Sequence, residues 1–231
     1  MTKPIVLLDL DDTLLDFHKA ERIAIAKTFV KFGIEPDEAI IRRYSEINAE
    51  QWKRLERGEI DREQVLVGRF ALLFEELGLD FSSREAKCIY ENFLSQGHYF
   101  VSGAEELLEA LRGKYRLFIC SNGTAVVQEG RLKSAGIGPY FEEIFISEEI
   151  GFNKPSAEFF ERCFEKIPNF CRERTIMIGD SLTSDILGGI KAGIRTCWFN
   201  PQGRPGREDV VPTYELGKLE QVPGLLEKIF C

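Results

Sequence analysis

Residues 5–16 read "IVLLDLDDTLLD", an apolar run that ends in four carboxylates within eight positions. Like charges repel, and a strand buried on both faces is a costly place to leave them. Asp9, Asp11 and Asp12 therefore imply either a bound positive charge or an ordinary solvated turn.

The 231 residues are 44% hydrophobic and 29% charged, enough to bury a large core, and they allow one large domain or one domain with an insertion. A formal net charge of -8 argues against nucleic acid or an anionic membrane surface as the main partner. Any phosphate site must then be built from local charge. The six cysteines (Cys88, Cys120, Cys163, Cys171, Cys197 and Cys231) are scattered, without a CxxC pair or a zinc-like Cys/His grouping. The N-terminal apolar run is too short for a signal peptide, and no run approaches the ~20 residues of a membrane span. A reducing cytoplasm is the expected location.

Short apolar runs recur at "IVLLDL" (5–10), "YRLFICS" (115–121), "EIFIS" (143–147), "TIMIGD" (175–180) and "RTCWFN" (195–200). Helical patterns separate them at 103–115, 125–137, 156–167 and 183–194, with Ser156 and Thr183 as N-caps and Gly136 and Gly193 as stops. This alternation predicts an α/β fold: a Rossmann-like parallel sheet with helices on both faces. Residues 17–100 hold no comparable strand and read as four helices, over 18–33, 37–57, 61–78 and 83–98. The expected organisation is a core of 1–16 and 101–231 interrupted by a helical domain at 17–100. The stretch 200–215 reads as a surface loop.

In an open parallel sheet, ligands bind at the carboxyl ends of the strands, beside the point where strand order reverses. The sequence places Asp9, Asp11 and Thr13 at one such end, Ser121 and Asn122 at a second, Lys154 after a third, and Asp180 and Asp185 at a fourth. Carboxylates of this kind suit Mg²⁺, and an aspartate can serve as a covalent nucleophile toward phosphorus. Asp12 reads instead as a local helix charge or hydrogen-bonding residue.

"DLDDTL" (9–14), "CSNG" (120–123), "NKP" (153–155) and "GDSLTSD" (179–185) together resemble the four motifs of the haloacid dehalogenase superfamily, in order, with the helical block where that family carries its C1-type cap. The resemblance implies a two-step phosphoryl transfer with Mg²⁺ as cofactor. Asp9 would be the nucleophile, and Asp11 the acid for the leaving alcohol and then the base for water. Thr13, Ser121, Asn122 and Lys154 would support or hold the phosphate. Asp9, the Asp11 carbonyl, Asp180 and Asp185 would surround the metal. Family dehalogenases lack an aspartate at the place of Asp11, so its presence favours a phosphatase.

A closer resemblance, carried by "DDTLLDF", "NAEQWKRLERGEIDREQV", "EGRLKSAGIGPYFEEIFISEEIGFNKP", "IMIGDSLTSDI" and "GIRTCWFNP", is to the noncanonical pyrimidine nucleotidases. It implies a 5'-nucleotidase acting on pyrimidine nucleoside monophosphates. Separately, Asp16, Trp52 and His98 are candidate residues for contacting a nucleoside. The alternatives are a sugar-phosphate or phosphoglycolate phosphatase, a phosphomutase, a haloacid dehalogenase, and a non-catalytic phospho-aspartate signalling module. The last fits the roughly 85-residue insertion poorly.

Overall fold

A computed structural model describes residues 2–230. Along the chain run β1 (Ile5–Leu8), α1 (Phe17–Lys31), α2 (Glu38–Glu56), α3 (Arg62–Leu77), α4 (Ser83–Leu94), α5 (Ala104–Leu111), β2 (Arg116–Ser121) and α6 (Ala125–Ala135). There follow β3 (Glu143–Ile146), α7 (Ser147–Ile150), α8 (Ala157–Lys166), β4 (Thr175–Gly179), α9 (Leu187–Lys191), β5 (Arg195–Phe199), β6 (Tyr214–Leu216) and α10 (Val222–Phe230). The expected α/β architecture is present: a six-stranded sheet in the order β3-β2-β1-β4-β5-β6, every neighbouring pair parallel.

β1 lies at the reversal of strand order. Its Leu8 pairs with Ile119 of β2 on one side and Ile178 of β4 on the other, so the backbone is saturated by both neighbours. Alternate side chains then feed two cores. Val6 and Leu8 join Ile119, Ile178 and the apolar faces of α5 and α10. Leu7 points the other way, among Phe118, Phe145, Met177 and Phe160 of α8. Each such fully buried side chain contributes roughly 1.5–3 kcal/mol through removal of apolar surface from water.

Helices α1 to α4 build a separate cluster around Phe29, Tyr44, Phe70, Phe74 and Tyr90. Their starts follow from sequence. Asp16, Asp37, Asp61 and Ser82 accept hydrogen bonds from the amides of Lys19, Ile40, Gln64 and Glu85, caps worth about 1 kcal/mol each. Gly78 ends α3 in the left-handed conformation.

Two elements differ from the sequence reading. The stretch 200–215 is not all loop, because Tyr214–Leu216 adds a parallel edge strand to β5. The helix expected over 183–194 begins as a π-helical turn, Leu182–Ile186, capped by Ser181 rather than Thr183. Cys120, Cys163 and Cys197 are buried free thiols, while Cys231 lies outside the described residues. Among the described residues, no helix is long and apolar enough to cross a membrane.

The paired glycines of α9 are poor helix formers, and close packing explains the second of them. A methyl group on Gly189 would lie 2.6 Å from Thr196 Cγ2 and 3.3 Å from Met177 Cβ. Gly68, inside α3, has no neighbour within 4 Å of such a methyl. The two positions should therefore respond oppositely to alanine in urea unfolding. Gly189→Ala should lose about 1–3 kcal/mol by overpacking, whereas Gly68→Ala should gain about 0.5–1 kcal/mol from helix propensity.

Candidate active site

Four strand ends meet around Asp9, which follows β1 and whose amide donates to the Ile178 carbonyl at 2.9 Å. Lys154 reaches in from the segment after α7, its side chain fully buried. Its ammonium donates to Asp9 Oδ1 at 2.7 Å, to Asp185 Oδ1 at 2.6 Å, and to the carbonyl of Cys120. Three donors thus meet three protein acceptors. Lys154 in this structure orients Asp9 and Asp185, and none of its protons is left over for a phosphate. Burial opposes its charge, but Asp185 and Asp9 more than offset that cost and hold it protonated.

Asn122 fixes the Lys154 backbone. Its side chain accepts from the Lys154 amide at 2.8 Å and donates to the Lys154 carbonyl at 2.9 Å. Asp185 also accepts from the Ser181 amide at 3.1 Å, which ties it to the turn after β4. Gly179 makes room for it: an added methyl there would lie 2.2 Å from Asp185 Oδ2. Asp180 is braced from the far side, its carbonyl accepting from Trp198 Nε1 at 2.8 Å and from Arg204 at 2.7 Å.

Asp9, Asp180 and Asp185 present carboxylate oxygens that all lie within 4.8 Å of one another. Burial, then mutual repulsion, raises all three above the usual carboxylate range, Asp180 to about 7. Lys154, together with Arg204 at 3.3 Å from Asp180 Oδ2, sets two positive charges against three carboxylates and leaves an excess of negative charge. An all-oxygen donor set with excess negative charge fits a hard divalent cation.

A cavity of ≈ 320 Å³ opens above this cluster. Asp9, Asp11, Asn122, Lys154, Asp180 and Asp185 line its floor, and Phe17, Trp52, Leu66, Leu94 and Val127 give it an apolar wall. Thr13 and Ser121 lie behind the floor. The Thr13 hydroxyl faces Asp9 Oδ2 at 3.4 Å, and the Ser121 hydroxyl accepts from the Gly123 amide at 3.1 Å. Asp12, in the left-handed conformation at φ 56°, receives the amides of Phe17 and His18 and so supports the start of α1.

Two expected specificity residues lie elsewhere. Asp16 spends its carboxylate on capping α1, and His98 is exposed, with Nδ1 against Ser134 Oγ at 2.6 Å and the Gln96 carbonyl at 3.0 Å. Neither lines the cavity. Of the three, only Trp52 does.

Other residues at the site carry no motif. Arg62 crosses from α3 to the core, donating to the carbonyls of Asn122 and Gly123 at 3.2 and 3.1 Å and to Asn153 Oδ1 at 2.6 Å. Glu56 accepts from Thr183 Oγ1 at 3.1 Å. Arg131 and Gln128, both buried on α6, grip the two oxygens of Asp11: Arg131 pairs with Oδ1, and Gln128 donates to Oδ2 at 2.7 Å. Polar residues at i and i+3 beside buried Val127 and Leu132 were the only signal for this pair.

The crystal structure of the HAD-hydrolase YfnB of Bacillus subtilis, bound to magnesium and revealing interdomain movement, superposes with a TM-score of 0.93 at 39% identity, covering 98% of this chain and 99% of that one. The pyrimidine 5'-nucleotidase PynA of Streptococcus pneumoniae is 38% identical over 96% of this chain and 94% of its own. The pyrimidine 5'-nucleotidase YjjG of Escherichia coli is 32% identical over 98% and 97%. A haloacid dehalogenase-like hydrolase model matches residues 4–193. With the family's four motif segments folded into one carboxylate-lysine cluster and the match spanning sheet and helical insert alike, the chain belongs to the haloacid dehalogenase-like hydrolases.

Proposed function

We propose that this chain is a Mg²⁺-dependent phosphomonoester hydrolase that works through an aspartyl-phosphate and acts on pyrimidine nucleoside monophosphates. The observation that carries this reading is the asymmetry of Asp9. Lys154 occupies Oδ1, while Oδ2 faces only the Thr13 hydroxyl at 3.4 Å and is free to attack.

Asp9 Oδ2 forms a bond to phosphorus as the ester bond breaks, and Asp11 delivers a proton to the departing 5'-oxygen. A water then attacks phosphorus, Asp11 takes its proton, and phosphate leaves Asp9. The Asn122 backbone amide and the Ser121 hydroxyl hold the phosphoryl oxygens, and Lys154 aims Asp9 and favours its ionised form. Mg²⁺, held by Asp9, the Asp11 carbonyl and Asp180 with Asp185 in support, would neutralise charge on those oxygens. The helical insert, 17–100, acts as a cap that excludes bulk water while phosphoryl is transferred to Asp9.

The nucleotide assignment draws on the cavity's upper wall. Trp52 and Phe17 offer flat apolar surface suited to a base, and Arg62 lies 5.7 Å from the Trp52 ring. The relatives named pyrimidine 5'-nucleotidases, aligned over nearly the full chain, point the same way.

Phosphate release measured with Mg²⁺ across nucleotides, sugar phosphates and phosphoglycolate tests the reading. Pyrimidine monophosphates should be turned over best. Release from sugar phosphates alone would remove the nucleotidase assignment, and no release from any monoester would remove the phosphatase. Asp9→Asn should lower kcat on the order of 10⁴-fold while leaving circular dichroism unchanged; near-normal turnover would exclude Asp9 as nucleophile.

The raised carboxylates give a pH test with a defined sign. Asp9, Asp180 and Asp185 ionise near 4 when unfolded but higher when folded without metal, Asp180 at about 7. Between those limits the folded state binds more protons, so metal-free stability attributable to this cluster falls as pH rises. Mg²⁺ relieves the repulsion of the ionised forms. Its gain in Tm over EDTA should therefore be larger near pH 8 than near pH 5.5. Equal gains would dissociate the metal from these three groups.

A further inference from the structure

Gly123 closes the segment "CSNG", yet its backbone does not need a glycine, since it is absent from the residues with positive φ. Space is the reason. A methyl group there would lie 2.5 Å from Gln128 Nε2 and 2.6 Å from both Gln128 Cδ and Cγ. The Gln128 amide is pressed flat against the loop, and it is 1% exposed.

The orientation of that amide is fixed by its neighbours. Arg131 has only donors, and its Nη1 faces Gln128 Oε1 at 3.3 Å. Nε2 must then point the other way, where it donates to Asp11 Oδ2 at 2.7 Å and to Ser121 Oγ at 2.7 Å. Both protons of the amide are used.

The consequence falls on Ser121. A hydroxyl has two lone pairs and one proton. Its lone pairs receive the Gly123 amide at 3.1 Å and Gln128 Nε2, leaving the proton as its one uncommitted valence. A serine held this way donates, and an anionic phosphoryl oxygen is the acceptor it suits.

We infer that Gln128 is a positioning residue that couples the two halves of the site: one amide aims the Asp11 carboxylate and forces Ser121 to donate. Gly123 is the space in which that amide sits, and Arg131 sets its direction. This rests on the phosphoryl-transfer reading above, in which Asp11 moves the proton and Ser121 holds phosphate.

The test compares wild type with Gln128→Met, which keeps length but removes the donors, Gln128→Glu, which keeps shape but removes both protons, and Gly123→Ala, which displaces the amide while leaving residue 128 a glutamine. Far-UV circular dichroism and Tm establish that each variant is folded. Inorganic phosphate binding, read as a Tm shift with Mg²⁺, reports on Ser121. Turnover of uridine 5'-monophosphate and of p-nitrophenyl phosphate reports on Asp11, because nitrophenolate leaves without a proton.

In folded variants, kcat for the nucleotide should fall roughly 10²-fold. Half-saturating phosphate should rise about tenfold, equal to about 1.4 kcal/mol. p-Nitrophenolate should appear as a burst of about one equivalent before slow turnover, since Asp11 is dispensable for release of that group and needed for the water step. Gly123→Ala, in a half-buried loop beside the cavity, should reproduce the pattern even if a Gln128 variant does not fold. Folded variants with kcat and phosphate binding within about twofold of wild type would overturn the inference. So would equal losses on both substrates with unchanged phosphate binding and no burst, the pattern of a merely structural residue. A wild type that binds phosphate but hydrolyses neither ester would instead defeat the phosphatase reading while the phosphate arm still tests Gln128; one that does neither overturns both.

Discussion

The buried ammonium of Lys154 is the interaction on which the site depends. Its side chain is 2% exposed and contacts Asp9 and Asp185, whose side chains are 9% and 1% exposed. An isolated charge at such depth would be strongly disfavoured, and so would either aspartate alone. Each group is tolerable only because the others are there. The pairing also joins chain segments far apart in sequence, since Asp9 follows β1, Lys154 precedes α8 and Asp185 sits in the π-helical turn after β4. The sheet must therefore close in register before the charges can satisfy one another. The site reads as a late product of the fold rather than a nucleus for it.

The helical insert meets this core through polar contacts rather than a continuous apolar seam. Arg62 bonds the carbonyls of Asn122 and Gly123, and Glu56 accepts from Thr183, both beside the carboxylate cluster. Apolar clusters instead form mostly within each unit, around Tyr44 and Phe70 in the insert and around Leu8 and Ile119 in the core. Hydrogen bonds to loop carbonyls exchange with water at small net cost, whereas a split hydrophobic core would not. With this division, relative movement of insert and core would not require either apolar cluster to be split.

Much of this was legible in the sequence because the relevant signals are local. Strands buried on both faces leave continuous apolar runs, and Asp37, Asp61 and Ser82 announce helix starts by their cap chemistry. The Asp9, Asn122 and Asp180 positions were readable for a related reason, each directly following a strand, and Lys154 and Asp185 lie in the segments that leave β3 and β4. β6 was not, being three residues with a glutamate at the centre that depend on β5 for their bonding. Nor were Gln128, Arg131, Arg62 and Glu56, whose importance arises only when separate helices are folded against the strand ends. The direction of His98 was not legible either, since a lone histidine carries no information about which way its ring faces, and here it faces Ser134.

Charge bookkeeping at the floor of the cavity gives the parts an order. With every Lys154 proton spent on protein acceptors, the ammonium stabilises Asp9 in its aimed, ionised form but leaves an excess of carboxylate charge. A dianionic phosphomonoester approaching that surface would be repelled until a cation joined Asp9, Asp180 and Asp185. On the proposed phosphatase reading, metal entry would precede productive substrate binding on electrostatic grounds. The same reasoning explains why the motif-borne lysine is not sufficient by itself to make a phosphate site. It offsets repulsion within the protein, and on the proposed reading attraction for the phosphoryl group would come from the cation and from neutral donors, the Asn122 backbone amide and the Ser121 hydroxyl.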